Sequence, residues 1–244
     1  MNSKPIIEVE HLTSGYNEHI VLNDISLQVF AHEVLVILGT SGCGKTTLLK
    51  HMIGLLKSRE GCVKIFDRDL TKLDELEYNR LLKKIGVLFQ NGALLNSLPL
   101  YANISIPLEQ HTQLPPELMD DLVRLKLKLV GLEEAYHLLP SQLSGGMRKR
   151  AALARAIILD PQILFADEPG AGLDPVTASG LDHLLLSLKD KLGMTLVIVS
   201  HEVESIKRIA DRVVYLDGGK VLFAGSLQEA LQTDVPEVQA FFSS

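Results

Sequence analysis

The chain has little cysteine, no long apolar run and no excess of positive charge, and each shortage argues against a class of protein. Its two cysteines, Cys43 and Cys62, do not have a metal-ligand spacing, so neither a disulfide framework nor a cysteine metal site is expected. No segment approaches the ~20 apolar residues that cross a bilayer. With 24 Lys+Arg against 30 Asp+Glu the net charge is −6. This argues against sequence-independent nucleic-acid binding, because such binding needs clustered positive charge.

The composition is that of a globular protein. Hydrophobic residues make up 46% and charged residues 22% of the 244 residues, which is enough to bury a substantial core. The segment Met1–Pro5 lacks the apolar stretch of a secretory signal, so we expect the protein to remain in a reducing cytoplasm. If it works at a membrane, another chain supplies the spanning helices.

Short apolar runs alternate with helical patterns along most of the chain. Near-continuous, β-branched apolar runs are typical of parallel strands that are buried on both faces. The runs are Ile6–Val9, Val34–Leu38, Ile85–Phe89, Ile163–Ala166, Thr195–Val199 and Val213–Leu216. The helical patterns between them include Lys45–Leu56, Ser144–Leu159 and Val176–Leu192. This alternation predicts an α/β fold.

Two regions depart from the alternation. The N-terminal part and the Asp217-Gly218-Gly219-Lys220 turn predict antiparallel strands and a hairpin. Roughly residues 91–155 contain several helical stretches and no convincing strand, which predicts a helical insertion. No internal repeat, low-complexity tract or long linker interrupts the chain, so we expect a single domain over residues 1–244.

The segment Gly39–Thr46 has the P-loop pattern G-x-x-x-x-G-K-[ST]. It follows the predicted strand Val34–Leu38 and precedes an apolar-periodic helix, which is the context that the motif requires. Its glycines let backbone N–H groups converge on phosphate oxygens, and the helix dipole favours the same anion. Lys45 is expected to reach the β- and γ-phosphates, and the Thr46 hydroxyl to bind Mg²⁺. The alternative is an ordinary glycine-rich turn with a surface lysine.

Five further segments stand in an order that resembles the motifs of ABC ATPases. They are Gln90 after a strand, Leu143–Met147 at the start of a helix, Ile163–Pro169 with two carboxylates, Gly172–Pro175, and Ser200–Glu202 after the next strand. In that order, the five segments match the Q-loop, the signature, Walker B with its glutamate, the D-loop and the switch histidine. Taken alone, Ser144-Gly145-Gly146 would equally fit a simple helix start with a serine N-cap. The resemblance covers most of the chain and implies a P-loop NTPase (RecA-like) core with an antiparallel β subdomain and a helical ABC-specific insertion.

The resemblance assigns roles residue by residue. The implied catalytic residues are Glu168, which polarises the attacking water, His201, Gln90 and Lys45. The implied nucleotide-binding residues are Tyr16, Gly39, Ser41, Gly42, Gly44, Lys45, Thr46, Thr47, Ser144, Gly145, Gly146 and Asp174. The implied Mg²⁺ ligands are Thr46, Gln90 and Asp167. Pro169 is expected to bias Glu168 towards an extended backbone. For Tyr16, packing of a turn tyrosine on a strand is the alternative to stacking on adenine.

The resemblance also implies partners. Two copies would pair head to tail, each P-loop facing the signature of the other copy, so that ATP is enclosed in the dimer. Stabilising charge would then come from Lys45, Mg²⁺ and helix amides rather than from an arginine finger. An integral membrane permease would receive the work of hydrolysis, and the ATPase would lie on the cytoplasmic face of a bacterial inner membrane.

Sequence details within the insertion resemble the ATPases of Mla/Mce-type phospholipid transporters. The signature continues as LSGGM-RKR through Arg150, and the segment after the Q-loop glutamine runs N-G-A-L. Met147, where most ABC proteins have Gln, supports this subfamily, whereas Gly170 stands where the subfamily usually has Thr. Phospholipid is therefore the expected cargo, with a lipid-binding Mce-type protein as a further partner. Another solute, or a soluble role in cofactor assembly, remains the alternative.

Three segments have two interpretations each. The apolar stretch Leu94–Leu108 forms either a groove for a permease helix or the insertion's own core. Arg148–Arg150 is either a solvated helix face or, for Arg150, a structural contact near the signature. Within the predicted C-terminal helix, roughly residues 234–242, Val238, Phe241 and Phe242 share one face, which packs either on the other copy or on its own domain.

Overall fold

The structure, a computed structural model, describes residues 4–16 and 19–243, and it divides into two compact units. The first unit takes in the described residues up to Arg80 and those from Thr195 onward. The second unit is Leu81–Met194. Both units combine helices with strands, so the predicted α/β class is confirmed.

The first unit contains the parallel strands that lead into the P-loop. Strand β3 (Val34–Gly39) pairs in parallel with β8 (Thr195–Val199) and with β9 (Arg212–Asp217). Every residue of β3 and β8 is buried, as expected for strands covered on both faces. Strand β9 turns back into β10 (Lys220–Ser226) through the predicted glycine hairpin.

A second, antiparallel sheet in the same unit has the order β2-β1-β4-β5. Its strands are β1 (Pro5–Tyr16), β2 (His19–Phe30), β4 (Glu60–Ile65) and β5 (Arg68–Asp69). The buried side chains of β1 include Ile7 and Val9, two residues apart, as a sheet with one covered face requires. The sequence prediction of N-terminal antiparallel strands is confirmed, although β1 extends seven residues beyond the predicted run, which ended at Val9.

Helix α1 (Lys45–Met52) follows the P-loop and is shorter than its apolar pattern suggested. The prediction that it runs to Leu56 is wrong. Leu55 N donates to Lys50 O and Gly54 N to His51 O, at 2.9 and 3.0 Å, and Gly54 has a φ of 76°. This is a Schellman motif, which needs a residue with positive φ and therefore ends the helix at the glycine.

The remaining helices of the first unit are short. Helices α7 (Val203–Ile209) and α8 (Leu227–Gln232) follow β8 and β10, and α2 (Glu75–Leu82) begins in the unit's N-terminal segment. The C-terminal helix α9 (Pro236–Ser243) buries Val238 completely, and the Phe241 ring meets Tyr215 of β9 edge to face at 5.7 Å. The apolar face of α9 thus packs on its own domain.

The second unit consists of two parallel strands and the helical insertion. Strand β6 (Ile85–Leu88) pairs with β7 (Ile163–Asp167), and Leu88 lies opposite Ala166. The insertion contains α3 (Leu100–His111), α4 (Pro116–Leu129) and α5 (Gly145–Ala156), with two short 3₁₀ turns before α5. Residues 91–155 contain no strand, as predicted. Helix α6 (Pro175–Leu192) closes the unit.

Within residues 4–16 and 19–243, every helix is too short or too polar to traverse a lipid bilayer.

Candidate nucleotide site

The P-loop joins β3 to α1 in the first unit, as the motif predicted. The first turn of α1 carries no acidic side chain, and its N-cap, Gly44, offers no side-chain oxygen to the helix amides. Ser41 and Gly42 are exposed at the tip of the loop, whereas Thr46 and Thr47 are half-buried. An electropositive helix start without a side-chain cap is suited to an anion such as phosphate.

Lys45 lies against the loop that precedes it. Its Nζ donates to the carbonyls of Gly39 and Thr40 at 2.9 Å each, and the residue is only 9% exposed. Gly44 has a φ of 105°, and a Cβ there would lie 2.7 Å from the Leu22 side chain. The loop therefore requires glycine at this position for both its backbone and its packing. The arrangement holds a positive charge beside a loop whose tip, at Ser41 and Gly42, is exposed.

Two contacts fix the loop to its own unit. The Thr40 hydroxyl donates to Asp217 Oδ1 at 2.8 Å, at the end of β9. A Cβ at Gly39 would lie 2.0 Å from the Leu216 carbonyl oxygen, so the backbones approach closely there.

The Cys43 side chain is buried behind the loop, and burial raises the pKa of its thiol, which stays neutral at pH 7. Cys43 therefore serves as packing rather than as a nucleophile.

His201 lies at the same sheet edge as the P-loop. It follows β8, whose Val199 pairs with Ile37 of β3, and parallel strands present their carboxyl ends at one edge. The His201 side chain is exposed, and the Ser200 hydroxyl accepts from Glu202 N at 3.1 Å. The structure therefore places His201 in the segment after the strand that pairs with β3, and its role as the switch histidine stays a prediction. Tyr16 is different, since it ends β1 and its side chain lies outside the described part of the chain.

In the second unit, the candidate acidic residues and Gln90 follow neighbouring strands. Gln90 lies two residues beyond β6, and Asp167 ends β7, to which β6 is paired in parallel. Asp167 and Glu168 are 7% and 8% exposed, whereas Gln90 is exposed. Because the two strands run in parallel, these three residues meet at one edge of the sheet.

The backbone of Glu168 is not extended. Its φ is 48°, so the expectation that Pro169 would favour an extended conformation is wrong. Strand β7 ends at Asp167, and the Glu168 carbonyl accepts from Ala171 N at 3.2 Å as the chain turns. Tertiary contacts override the local preference and hold a non-glycine residue in a costly conformation.

Two basic residues of α5, Lys149 and Arg155, bind the segment that follows β6, and the interpretation of Arg148–Arg150 as a solvated helix face is wrong for Lys149, which is 7% exposed. Lys149 Nζ donates to the Gln90 carbonyl and, at 3.1 Å, to the Glu168 carbonyl. Arg155 donates to the carbonyls of Gly92 and Ala93, at 2.8 Å each. No local signal singled out Lys149, because Arg148 and Arg150 also precede apolar residues at i+3 and i+4.

The signature segment begins α5. Ser144 is exposed, and its hydroxyl accepts from Met147 N at 3.2 Å, so it is the N-cap of the helix. A Cβ at Gly146 would lie 2.5 Å from Thr177 Cγ2, and glycine therefore lets α5 approach α6 closely. Arg150 donates to the carbonyls of Val130 and Gly131, at 3.2 and 3.4 Å, which confirms its structural role at the end of α4.

Asp174 of the D-loop segment is the N-cap of α6. Its Oδ1 accepts from Val176 N and Thr177 N, at 3.1 and 3.0 Å. The Thr177 hydroxyl also donates to this carboxylate, and these bonds hold the pKa of Asp174 below its ordinary value. The side chain stays ionised and exposed, while its described contacts are to the helix that it caps.

The glycine-rich loop lies between a buried parallel strand and a helix without a side-chain cap, and Lys45 folds back onto it. These features define a P-loop nucleotide-binding protein. The family profile described as ABC transporter matches residues 22–171. The chain belongs to this family, and it is an ATP-binding, ATP-hydrolysing subunit of an ABC transporter.

Similar curated proteins cover nearly the whole chain. The intermembrane phospholipid transport system ATP-binding protein MlaF of Haemophilus influenzae is 39% identical over 236 residues, covering 97% of this chain and 89% of that protein. A probable ribonucleotide transport ATP-binding protein, mkl of Mycobacterium leprae, is also 39% identical, over 97% of this chain and 68% of its own length.

A solved structure supports the fold. The chain resembles the dimeric ATP-binding cassette MJ0796 in a post-hydrolysis state bound to ADP and Pi, with a TM-score of 0.82 and 31% identity. The likeness covers 91% of this chain and 98% of that one.

Proposed function

We propose that this chain is the ATPase of a phospholipid transporter, and that residues 1–244 act as one ABC nucleotide-binding domain. The phosphates of ATP contact Lys45 and the P-loop amides, including those of Gly39–Gly44, Thr46 and Thr47, and Tyr16 stacks on adenine. Glu168 polarises the attacking water, and His201 and Gln90 respond to the γ-phosphate. The uncapped start of α1 is the single observation that carries the nucleotide-binding roles.

Mg²⁺ is proposed as the cofactor, with Thr46, Gln90 and Asp167 as its ligands. A hydroxyl, an amide oxygen and a carboxylate are the hard oxygen donors that this ion prefers. Within the first unit, Thr46 is half-buried in the first turn of α1, and within the second unit Asp167 is nearly buried at the end of β7. When bound, Mg²⁺ neutralises charge on the phosphates.

A second copy of the chain is the proposed partner in ATP hydrolysis, paired head to tail. Ser144, Gly145 and Gly146 would then present the positive end of α5 to the other copy's nucleotide, with Asp174 near the contact. Val176, beside Asp174, is apolar and 82% exposed, which supports a protein contact at this end of α6. The dimeric state of the similar cassette MJ0796 supports the same proposal.

A membrane permease is proposed to dock on the apolar surface at the start of α3. Leu95, Tyr101 and Leu139 are 48%, 38% and 36% exposed. Leu100 N donates to the Leu138 carbonyl at 2.9 Å, which brings the Tyr101 and Leu139 segments together, and Asn103 holds Leu95 to the same helix. Exposed apolar side chains on an ordered surface are suited to receiving an amphipathic helix.

The location and the cargo follow from the same proposal. The chain would lie on the cytoplasmic face of a bacterial inner membrane, bound through the permease. The similarity to MlaF over nearly the full length supports phospholipid as cargo, with an Mce-type lipid-binding protein as a further partner and no nucleic acid. The equal similarity to mkl makes ribonucleotide transport the second candidate.

The proposal is tested by purifying the tagged chain from detergent-solubilised membranes and identifying bound proteins and lipids by mass spectrometry. We expect a stoichiometric permease together with phospholipid. The Leu95→Glu variant should lose the permease, whereas Leu125→Glu should retain it. Leu125 is a matched control, because it is an equally exposed leucine, at 50%, of the same unit.

Each outcome has a distinct meaning. A permease that carries a ribonucleotide or another solute would reject the lipid proposal and keep transport. Soluble partners alone would reject the permease proposal and favour the cofactor-assembly alternative. In parallel, Glu168→Gln should retain ATP binding and slow turnover by about 10²–10⁴-fold. Normal turnover in that variant would contradict the role of Glu168.

A further inference from the structure

Lys149 is a lysine on the buried face of the signature helix. It is 7% exposed, although lysine is among the residues least often buried. A buried ammonium is tolerated when hydrogen-bond acceptors replace its water. Here two main-chain carbonyl oxygens, of Gln90 and Glu168, accept from its Nζ.

The two carbonyls belong to residues with proposed roles in hydrolysis. Gln90 and Glu168 are 59 and 19 positions from Lys149 in sequence. They follow the paired strands β6 and β7, so the ammonium joins the segments that leave two neighbouring strands. Charge-assisted hydrogen bonds of this kind are stronger than bonds between neutral groups.

Glu168 depends on such contacts more than an ordinary residue does. Its φ of 48° is unfavourable for a side chain with a Cβ, and such conformations persist where the surroundings determine them. Two donors on its carbonyl do so here, Lys149 Nζ and, at 3.2 Å, Ala171 N. Rotation of the peptide that follows Glu168 would move the carbonyl away from both donors.

We propose that Lys149 is a positioning residue for ATP hydrolysis, which orients the Gln90 and Glu168 segments through their main-chain carbonyls. This inference rests on the roles proposed for those two residues. This positioning role distinguishes Lys149 from the other basic residues of α5. Arg150 and Arg155 bind carbonyls of residues that have no proposed role in the reaction. Lys149 also belongs to the helix that Ser144 begins, so the signature and the glutamate segment are connected through one side chain.

The test is the steady-state ATPase kinetics of Lys149→Met, with the ATP dissociation constant measured separately. Methionine keeps an unbranched side chain that is one heavy atom shorter, and it removes the donors. We expect kcat to fall by about 10–100-fold, since small misplacements of reacting groups have effects of this size. The dissociation constant of ATP should change less than about twofold. Lys149→Arg, whose guanidinium can donate to both carbonyls, should recover most of kcat.

Two controls separate positioning from stability. Lys191→Met makes the same chemical change at an exposed lysine of the same unit and should leave kcat unchanged. Thermal unfolding of each variant gives the folded fraction at the assay temperature. A loss of kcat that only follows the folded fraction would overturn the proposal, as would a Lys149→Met enzyme with normal kcat. If Lys149→Met does not fold, Lys149→Gln replaces it, because glutamine keeps one donor group and should give an intermediate kcat. A normal kcat in Lys149→Gln would also overturn the proposal.

A double-mutant comparison connects the effect to Glu168. In a Glu168→Gln background, Lys149→Met should lower kcat by clearly less than it does in the wild type, because the reacting group of one of the two segments that it orients has already been removed. Effects that multiply would show that Lys149 acts elsewhere and would overturn the inference. If Glu168→Gln alone turns over normally, the role of Glu168 is wrong. If Glu168→Gln is slow and Lys149→Met is normal, only the positioning role is wrong.

Discussion

Replacement of Asn103 should disturb the proposed docking surface without changing any residue that is proposed to act in ATP hydrolysis. Asn103 is completely buried in α3. Its Oδ1 accepts from Leu95 N at 2.7 Å, and its Nδ2 donates to the carbonyls of Leu95 and Leu98, at 3.0 and 2.9 Å. A single side chain therefore hydrogen-bonds the loop that carries the exposed Leu95 to helix α3.

The perturbation is Asn103→Leu, which keeps the number and branching of the side-chain heavy atoms and removes the three shorter bonds together with a longer one, at 3.3 Å, to the Pro99 carbonyl. At about 0.5–1.5 kcal/mol for each net bond, loss of the three shorter bonds is about 1.5–4.5 kcal/mol. Water can reach part of the exposed loop, so we expect about 2–3 kcal/mol in the free energy of unfolding. Urea denaturation at equilibrium measures this value from the shift in midpoint at an unchanged slope.

Asn96→Leu is the matched control, since Asn96 is the same residue type and is exposed in the same loop. It should change the free energy of unfolding by less than about 0.5 kcal/mol. An effect of Asn103→Leu that is equally small would refute the reasoning that this side chain holds the loop. Permease capture should also fall in Asn103→Leu, while ATP binding by the P-loop, in the other unit, is retained.

Three further predictions concern the P-loop, the signature and a buried histidine. Gly44→Ala should abolish ATP binding, because its Cβ would lie 2.7 Å from Leu22 in a backbone with a φ of 105°. Ser144→Ala should remove the α5 cap, at a cost of about 1 kcal/mol in unfolding free energy, and should impair hydrolysis more than ATP binding. Burial lowers the pKa of His51, so the folded state disfavours its charged form, and stability should fall as the pH drops below about 6.5. His51→Gln should flatten this dependence, measured by urea denaturation from about pH 5 to pH 7.

Each of these predictions has a control and a contradicting result. Gly42→Ala meets no atom within 4 Å, so it should weaken ATP binding less than Gly44→Ala, and the reverse order would contradict the packing argument. Ser144→Asp keeps a capping oxygen but adds a negative charge, so normal turnover there would count against an anion at this helix start. His183→Gln, at an exposed histidine, should leave the pH dependence of stability unchanged, and an unaltered slope in His51→Gln would refute the role of burial.

Sequence alone predicted the elements whose signals are local. The apolar run Thr195–Val199 became β8 with the predicted bounds, and the glycine turn between β9 and β10 formed the expected hairpin. The P-loop spacing also predicted the strand, loop and helix that the structure contains. Periodicity, glycine positions and motif spacing are properties of short segments, so they can be recognised without knowing the tertiary structure.

Other features lay beyond such signals. The end of α1 at Met52 requires the Schellman bonds of Gly54, although the apolar pattern continues to Leu56. The face of α9 was identified in sequence, but two surfaces could have covered it, and packing of Phe241 on Tyr215 decided between them. An amphipathic pattern shows that a face is buried, and it does not say against what.

The site shows the same division. The sequence by itself determined which residues are the candidates for ATP chemistry, from Lys45 to Glu168, because each motif is a short contiguous segment. Only the tertiary structure decided that Glu168 adopts a φ of 48° and that Lys149 reaches its carbonyl as well as that of Gln90, 59 positions away. A local pattern cannot encode these contacts, because they arise when separate helices and strands pack together and the buried ammonium must find acceptors within that packing.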